Sequence, residues 1–405
     1  MSRKSPHLEV DVLLEPRVSA VTEADVEIAV LLRLRQEVPP DAPALPLHLV
    51  IAPLGPGAIN GPPVLRGLDG LRPGDRVSLP GGRTHLLSAG ESPEAALDAL
   101  VKDAFMRPED TAAAALTQAR EILSQERRQD VVHRLLMVAH SPVSEPMEPL
   151  LAAATALTEK QHGLDVVTTS PSMDLGMMVR LANLGGGEVN SVDSAAALET
   201  AIRQRVFRLT RQHVIDARLE LDFVPGVSPG RMYRVTPMPV FLGNVRLTPT
   251  DRRLVLDPGP LAPGHEPSFL MTLTVPRRRL GHYRLVEIIS RHRVGHRHIS
   301  SHQLSVVHHV TDDPTELGYV EANVVAARDR VEPAGWVEEA ARAFLEGDHR
   351  RVATTLERIA RRFLEMGRPQ DAQATVDVRS RYLRAGHLDR TELNKLRRLA
   401  GQALA

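Results

Sequence analysis

The feature that most constrains this chain is the order in which its apolar period changes along the sequence. Leu8, Val10 and Val12, then Val26, Ile28, Val30, Leu32 and Leu34, fall on alternate positions, with Glu9, Asp11, Glu27, Arg33 and Arg35 among the residues between. A period of two predicts half-buried strands. Beyond Pro39, Pro40, Pro43 and Pro46, the run Leu47-His-Leu-Val-Ile-Ala-Pro-Leu54 is apolar on both faces, as a parallel sheet requires. From there to about 210 strands alternate with helices. Strands are predicted at Arg76 to Leu79, Leu135 to Ala139 and Leu164 to Thr169. Helices are predicted after Ser92-Pro93, over Thr111 to Gln125 behind Asp110 as N-cap, around Pro149 to Lys160, at Leu175 to Asn183 and from Ala195 to Arg208. That alternation predicts a doubly wound α/β sheet.

Between 214 and 311 the period of two returns, for example at Leu219, Leu221 and Phe223 and at Phe269, Met271, Leu273 and Val275. Pro225-Gly, Ser228-Pro-Gly, Asp257-Pro-Gly-Pro and Ala262-Pro-Gly punctuate these runs at the spacing of a β-sandwich. A lone hairpin is marginal in water, so the N-terminal strands are expected to complete this sandwich, with the α/β domain inserted between them. The last 75 residues read as helices with a repeat: Phe344-Leu-Glu-Gly347, Phe363-Leu-Glu-Met-Gly367 and Tyr382-Leu-Arg-Ala-Gly386. Each Gly suits a helix end that needs a left-handed residue, and Asp389 with Glu392 forms a capping box. The helices resemble tetratricopeptide-like hairpins without meeting the 34-residue consensus. The expected division is residues 1–43 as N-terminal sandwich strands, 44–212 as the α/β domain, 213–330 as the rest of the β-sandwich and 331–405 as a C-terminal helical bundle. Trp336, the only tryptophan, is expected to anchor the first tail helix to the sandwich.

Composition narrows the functional classes. A chain of 405 residues exceeds one hydrophobic core, and 42% apolar with 25% charged residues is ordinary globular composition. Formal net charge is zero, so no global field draws the chain to nucleic acid or an anionic membrane. There is no cysteine, which removes thiolate catalysis, disulfides and cysteine zinc sites. The N-terminus turns charged where a signal peptide would be apolar, and no run approaches the roughly 18 apolar residues of a membrane span, so a cytoplasmic location is expected. The scarcity of Lys beside Arg points to coding bias in a GC-rich bacterial genome.

Residues 45–210 resemble a von Willebrand factor A (VWA) domain. The residues that carry the resemblance are Leu71-Arg-Pro-Gly-Asp-Arg-Val-Ser-Leu79, Thr111 with Ala115-Leu116, the strand Leu135 to Ala139, and Leu181-Ala-Asn-Leu-Gly-Gly-Gly-Glu-Val-Asn-Ser-Val192. The whole chain is similar to bacterial proteins that set such a domain between a sandwich and a helical tail. The resemblance implies a site where a D-x-S-x-S motif, a Thr and an Asp hold a divalent ion through hard oxygen donors. Here the motif falls on Ala52, Pro53, Leu54, Gly55 and Pro56, and the Asp falls on His140 followed by Ser141; only Thr111 is retained. The resemblance therefore implies a degenerate metal site and no metal or other cofactor. Only about 14 residues, including Pro62, Pro63, Gly67 and Gly70, remain for the first helix, so a loop or one turn is expected there.

Three other chemistries compete with this reading. Gly55-x-Gly57-x-x-x-Gly61 lacks the helix a dinucleotide turn needs, because Pro62-Pro63 follows it. His292, His296, His298, His302, His308 and His309 could ligate a transition metal, with His296 and His298 on one strand face; Arg291, Arg293 and Arg297 interleave with them, which favours ordinary exposed sheet histidines. Arg277, Arg278, Arg279 and Arg284 with those three make seven arginines from 277 to 310 against one acid, Glu287, a density suited to phosphate or an acidic partner. Stacking aromatics are scarce there, so nucleic acid is disfavoured and a solvated face is the bland reading.

The function expected from the sequence is a non-catalytic protein-interaction scaffold or regulatory adaptor. Its partner surface would be the degenerate metal-site residues Ala52, Leu54, Pro56, Thr111, His140 and Ser141 with the strand-end region Pro53 to Pro63, His140 to Glu145 and Ser170 to Asp174, together with the helical tail. By analogy with the resembling proteins, the partner would be an ATPase, kinase or defence effector encoded nearby. The alternative is a metal- or anion-binding enzyme, or a nucleic-acid-associated factor, using the His- and Arg-rich strands.

Overall fold

The computed structural model describes residues 6–20, 24–39, 42–54, 62–80, 84–88, 91–92, 95, 111–125, 128, 130–140, 145–160, 162–170, 173–248, 252–300, 304–317 and 319–401. The chain opens with β1 (His7–Glu15), β2 (Val18–Ala20) and β3 (Val26–Glu37). An α/β unit follows, built from β4 (Leu47–Leu54), α1 (Pro62–Arg66), β5 (Arg76–Ser78), β6 (Thr84–Leu86), α2 (Ala112–Gln125), β7 (Val132–Ala139), α3 (Met147–Glu159), β8 (Gly163–Thr168), α4 (Leu175–Leu184), β9 (Val189–Ser191) and α5 (Ala195–Leu209). Eight strands come next: β10 (Ile215–Phe223), β11 (Ser228–Thr236), β12 (Val240–Asn244), β13 (Arg253–Leu256), β14 (Ser268–Val275), β15 (Gly281–Val294), β16 (Arg297–Ser300) and β17 (Leu304–Thr311). Helices α6 (Pro314–Leu317), α7 (Ala322–Leu345), α8 (His349–Glu365), α9 (Pro369–Ala385) and α10 (Arg390–Gly401) end the chain.

Two of the N-terminal strands, β2 and β3, pair with strands more than two hundred residues away, and β1 pairs with β3. One sheet has the order β1-β3-β14-β11-β12, the other β13-β10-β15-β17-β2 with β16 on β15. Ile28, Val30, Leu32 and Leu34 of β3 point inward and meet Leu219, Leu221, Leu285 and Val286 from the facing sheet. Alternation alone predicts a solvated outer face for β3, but Ala29 and Leu31 are buried too, beneath Val324, Ala327 and Val331 of α7.

The α/β sheet has the order β6-β5-β4-β7-β8-β9, parallel throughout except for the β5–β6 hairpin pairing. Leu47, Leu49 and Ile51 of β4 face α1 and α5, and Val50, Ala52 and Leu54 face the layer of α2, α3 and α4. Burial on both faces is why the run 47–54 is apolar without a break. Helix α1 is a single short turn beginning at Pro62, and Gly67 after it lies against α5, where an added Cβ would stand 2.7 Å from Ile202 Cβ.

A buried charge network joins this unit to the sandwich. Arg205 is bonded to Glu188 at 2.7 Å and lies 3.1 Å from Asp165, Arg208 reaches Glu188 at 3.2 Å, and His265 of the sandwich stands 3.5 Å from it. Arg234 of β11 donates to the Gly187 carbonyl at 2.8 Å. Burial works to raise the Glu188 carboxyl, but Arg205, His265, Arg208 and Arg234 hold it well below the usual carboxylate range.

The tail corrects two expectations. Helix α7 runs unbroken through 330/331, so no boundary falls there: Val324, Ala327 and Val331 pack on the sandwich, and Val337, Ala340 and Ala343 belong to the helical core. Trp336 faces that helical core beneath the Arg358 guanidinium, 4.0 Å from its ring, instead of the sandwich. The residue pressed against the sandwich is its neighbour Gly335, where an added Cβ would lie 2.6 Å from Tyr233 Oη. An indole is too wide for that contact. Gly347, Gly367 and Gly386 end the repeats at φ 74°, 70° and 66°, the left-handed region that favours glycine. Asp389 and Glu392 cap reciprocally, the Glu392 N–H donating to Asp389 at 2.8 Å and the Asp389 N–H to Glu392 at 3.4 Å.

Candidate functional site

In open α/β sheets ligands gather where strands end, here the C-terminal ends of β4, β7 and β8. Strand register sets Leu54 beside Ala139 and Ala139 beside Thr168. Ala52 and Leu54, expected on a partner-binding surface, are 0% and 7% exposed and pack with Ala112, Ala115 and Leu116 of α2. They are core residues, because the alternation that turns Val50 toward α2 carries Ala52 and Leu54 the same way. Pro56 and Ser141 lie outside the described residues.

Thr111 is the N-cap of α2, its hydroxyl accepting the Ala114 N–H at 3.1 Å; Asp110, expected in that role, lies outside the described residues. The same helix end is closed by Glu145, whose carboxylate accepts from Ala112 N and, at 3.0 Å, from Ala113 N. A carboxylate on free amides at a helix N-terminus is favourable on both hydrogen-bonding and dipole grounds. His140, one residue beyond β7, is half-buried with Nδ1 2.6 Å from Thr169 Oγ1. Its backbone N–H donates to the Leu54 carbonyl at 3.0 Å, locking the loop to β4.

The expected surface at Ser170 to Asp174 is already occupied in part. Asn394 of α10, fully buried, accepts the Leu175 N–H at 3.3 Å and donates to the Met173 carbonyl. Arg397 of α10 bonds Glu338 of α7 at 2.7 Å, stands 3.6 Å from Asp174, and lies flat on Gly176, where a Cβ would come within 2.7 Å of its Cζ. Asp174 also caps α4, accepting the Met177 N–H at 3.1 Å. Sequence reasoning missed Thr169 and Asn394 as members of this site; both partnerships are long-range and leave no local signal.

The arginine-rich segment does not form one patch. Arg277, Arg278 and Arg279 lie on the loop before β15, whereas Arg291 and Arg293 lie near its far end; β15 has 14 residues, so at about 3.3 Å each the two groups are roughly 40 Å apart. Arg278 lies over the Tyr283 ring at 5.3 Å. Arg291 is bonded to Glu220 at 2.6 Å and Arg293 to Asp216 at 2.6 Å, both acids on the neighbouring β10; Arg297, on β16, is exposed. Counting acids within 277–310 overlooks these cross-strand partners.

The histidines also divide. His292 and His308, expected to be exposed, are 2% and 1% exposed, and burial pushes both imidazoles down. His308 Nε2 lies 2.8 Å from Ser19 Oγ. His296 is in the turn after Gly295 and His298 in β16, so they share no strand face, and His302 lies outside the described residues. Among the described residues no three His, Asp or Glu side chains converge as a metal site.

The fold is that of von Willebrand factor type A proteins, with the α/β unit set into a sandwich and followed by helices. Over its whole length the chain is similar to a von Willebrand factor type A protein from Catenulispora acidiphila, at 14% identity and a TM-score of 0.77, covering 100% of this chain and 99% of that one. It is also similar to the ArnB paralog VWA2 from Sulfolobus acidocaldarius, at 12% identity and 0.55, covering 97% and 98%. The human COPII-coat protein Sec24c aligns at 12% identity and 0.51, over 90% of this chain and 58% of its own. No family model and no curated protein matches the chain. No helix among the described residues is long and apolar enough to cross a membrane.

The metal ion implied by the fold needs hard oxygen donors. The described residues do not fit one. Ala52 and Leu54 bring buried hydrocarbon, the Thr111 hydroxyl and the Glu145 carboxylate are engaged with α2 amides, and His140 is bonded to Thr169.

Proposed function

We propose that this chain is a non-catalytic interaction scaffold or regulatory adaptor that holds a partner protein without a metal ion. The observation that carries this reading is the internal use of the polar groups at the strand ends: Thr111 and Glu145 cap α2, and His140 pairs with Thr169. A catalytic set needs a nucleophile, a base and a place for substrate between them, and these groups are spent on holding the loops in place. A rigid, metal-independent platform suits recognition by shape and hydrogen bonding. The tail adds to it, because Leu345, Leu364 and Leu383, the second residue of each helical repeat, are 85%, 59% and 57% exposed. An ATPase, kinase or defence effector encoded nearby is the proposed partner class.

The test is affinity capture with the full chain from the native host, followed by rebinding of the purified partner in EDTA and in magnesium. Equal affinity in both, weakened by Leu345→Glu or Leu383→Glu, is expected. A stoichiometric divalent ion in the purified protein, or affinity lost in EDTA, overturns the reading.

A further inference from the structure

Away from the strand ends just described, a cavity of about 90 Å³ lies between the opposite, N-terminal edge of the α/β sheet and the sandwich. Four cationic side chains line it, Arg134, Lys160, Arg218 and Arg293, against two carboxylates, Asp216 and Asp257. Arg293 and Asp216 neutralise one another at 2.6 Å. Asp257 accepts the Gly259 N–H at 2.8 Å. Four cations thus face two carboxylates, and the lining carries a net positive charge.

Arg134 is the pivotal residue. It is 9% exposed, its Nη1 has no hydrogen-bond partner among the described residues, and the Asp257 carboxylate acts on it through space. Its guanidinium is laid over Gly163 so closely that a Cβ there would stand 1.7 Å from Nη1. Glycine at 163 thus makes room for this guanidinium. A guanidinium carries five N–H donors and no acceptor, and a buried N–H donor without an acceptor is costly. Two further buried side chains of the same cavity have unpartnered nitrogens: His162, 6% exposed, at Nδ1 and Gln212, 2% exposed, at Nε2. Gln212 Nε2 is a donor, and imidazole Nδ1 becomes one in the appropriate tautomer. The cavity gathers more donors and positive charge than its two carboxylates match, and its volume exceeds the roughly 10–15 Å³ that one water requires several-fold.

We propose that this cavity binds a small oxyanion of the phosphate class, held by Arg134 between the α/β unit and the sandwich. Guanidinium groups pair with phosphate oxygens through parallel N–H bonds, which suits the planar, fixed Arg134. Because the ligand contacts both units, it stabilises their junction by mass action.

The experiment titrates inorganic phosphate into the full chain in phosphate-free buffer by calorimetry and follows thermal melting against sodium chloride at matched ionic strength. Saturable one-site binding, and a rise in melting temperature beyond the chloride control, are expected. Arg134→Gln should weaken binding at least tenfold and Arg218→Gln, on the exposed rim, several-fold. Absence of both heat and stabilisation beyond chloride overturns the proposal, as does a folded Arg134→Gln that binds as tightly as the parent. If Arg134→Gln does not fold, Gln212→Leu and Arg218→Gln decide: weakened binding supports the site, and unchanged affinity in both overturns it. A phosphate monoester in a parallel titration separates a free-ion site from a head-group site, the tighter ligand identifying the source.

Discussion

Asn394, on the last helix, is bonded to the backbone of Leu175, a residue 219 positions earlier at the start of α4. A single fully buried carboxamide thereby serves a free helix-start amide and the Met173 carbonyl together. The tail is docked on the α/β unit through a fully buried polar contact. Asn394→Ala should cost about 2–4 kcal/mol, since both backbone groups lose their partner while remaining buried. Urea denaturation measures the loss, and limited proteolysis should show α10 cut earlier than the rest. Unchanged stability with unchanged protection would refute the clamp.

The buried network around Glu188 makes a second prediction. Removing one charge from a buried set costs more than the set contributes, because the remaining ions stay desolvated. Glu188→Gln should destabilise by about 3–5 kcal/mol, leaving Arg205, Arg208 and Arg234 without their shared carboxylate. Arg208→Gln, at the partly exposed margin, should cost much less. Equal losses would mean that burial does not set the hierarchy.

Gly335 and Tyr233 control how α7 seats on the sandwich. A Cβ at 335 would meet Tyr233 Oη at 2.6 Å and Cε1 at 2.9 Å. Gly335→Ala should therefore cost about 1–3 kcal/mol through overpacking, despite the better helix propensity of alanine. Adding Tyr233→Phe should recover part of it, since the closest clash is with the hydroxyl. A double-mutant cycle with zero coupling would rule out the contact as the cause.

Acid should destabilise the fold well above the carboxylate range. Burial, then the neighbouring His133, pushes His48 to about 3 and His162 to about 4. Above about pH 6.5 these imidazoles are neutral whether the chain is folded or not. As pH falls below that, the unfolded chain binds protons that the folded one excludes, and stability declines until the folded groups titrate near 4 and 3. Between pH 6.5 and 5 each imidazole should contribute a loss of up to about 2 kcal/mol. Denaturation at several pH values, compared with His162→Gln, tests this: the variant should show a shallower slope.

Thr111→Ala should behave as the loss of a helix cap. The expected cost is about 1 kcal/mol, the same in magnesium and in EDTA, because the hydroxyl holds the Ala114 amide. Melting curves of both proteins under both conditions provide the measurement. A magnesium-dependent stabilisation present in the parent and absent in the variant would restore a metal role to Thr111.

Periodicity was enough to locate the long elements. The alternation at 8–14 and 26–34 became β1 and β3, the two-faced run at 47–54 became β4, and the Phe/Tyr-Leu repeats became helix ends closed by Gly347, Gly367 and Gly386. These signals are local, set by the geometry of a strand or a helical turn. Strands β6 and β9, three residues each, are too short to display a period.

Tertiary structure decided what covers each face and what satisfies each polar group. Nothing near Ala29 or Leu31 announces α7, and nothing near Arg291 announces Glu220 on another strand. Thr111 and His140 could be picked out by position, but whether a hydroxyl or an imidazole is available to a ligand depends on who has bonded it first; for these two the answers are the α2 backbone and Thr169. Local sequence sets conformation, because backbone geometry repeats over a few residues. Pairing and burial are contests between groups far apart in the chain, and only the assembled fold determines which contact prevails.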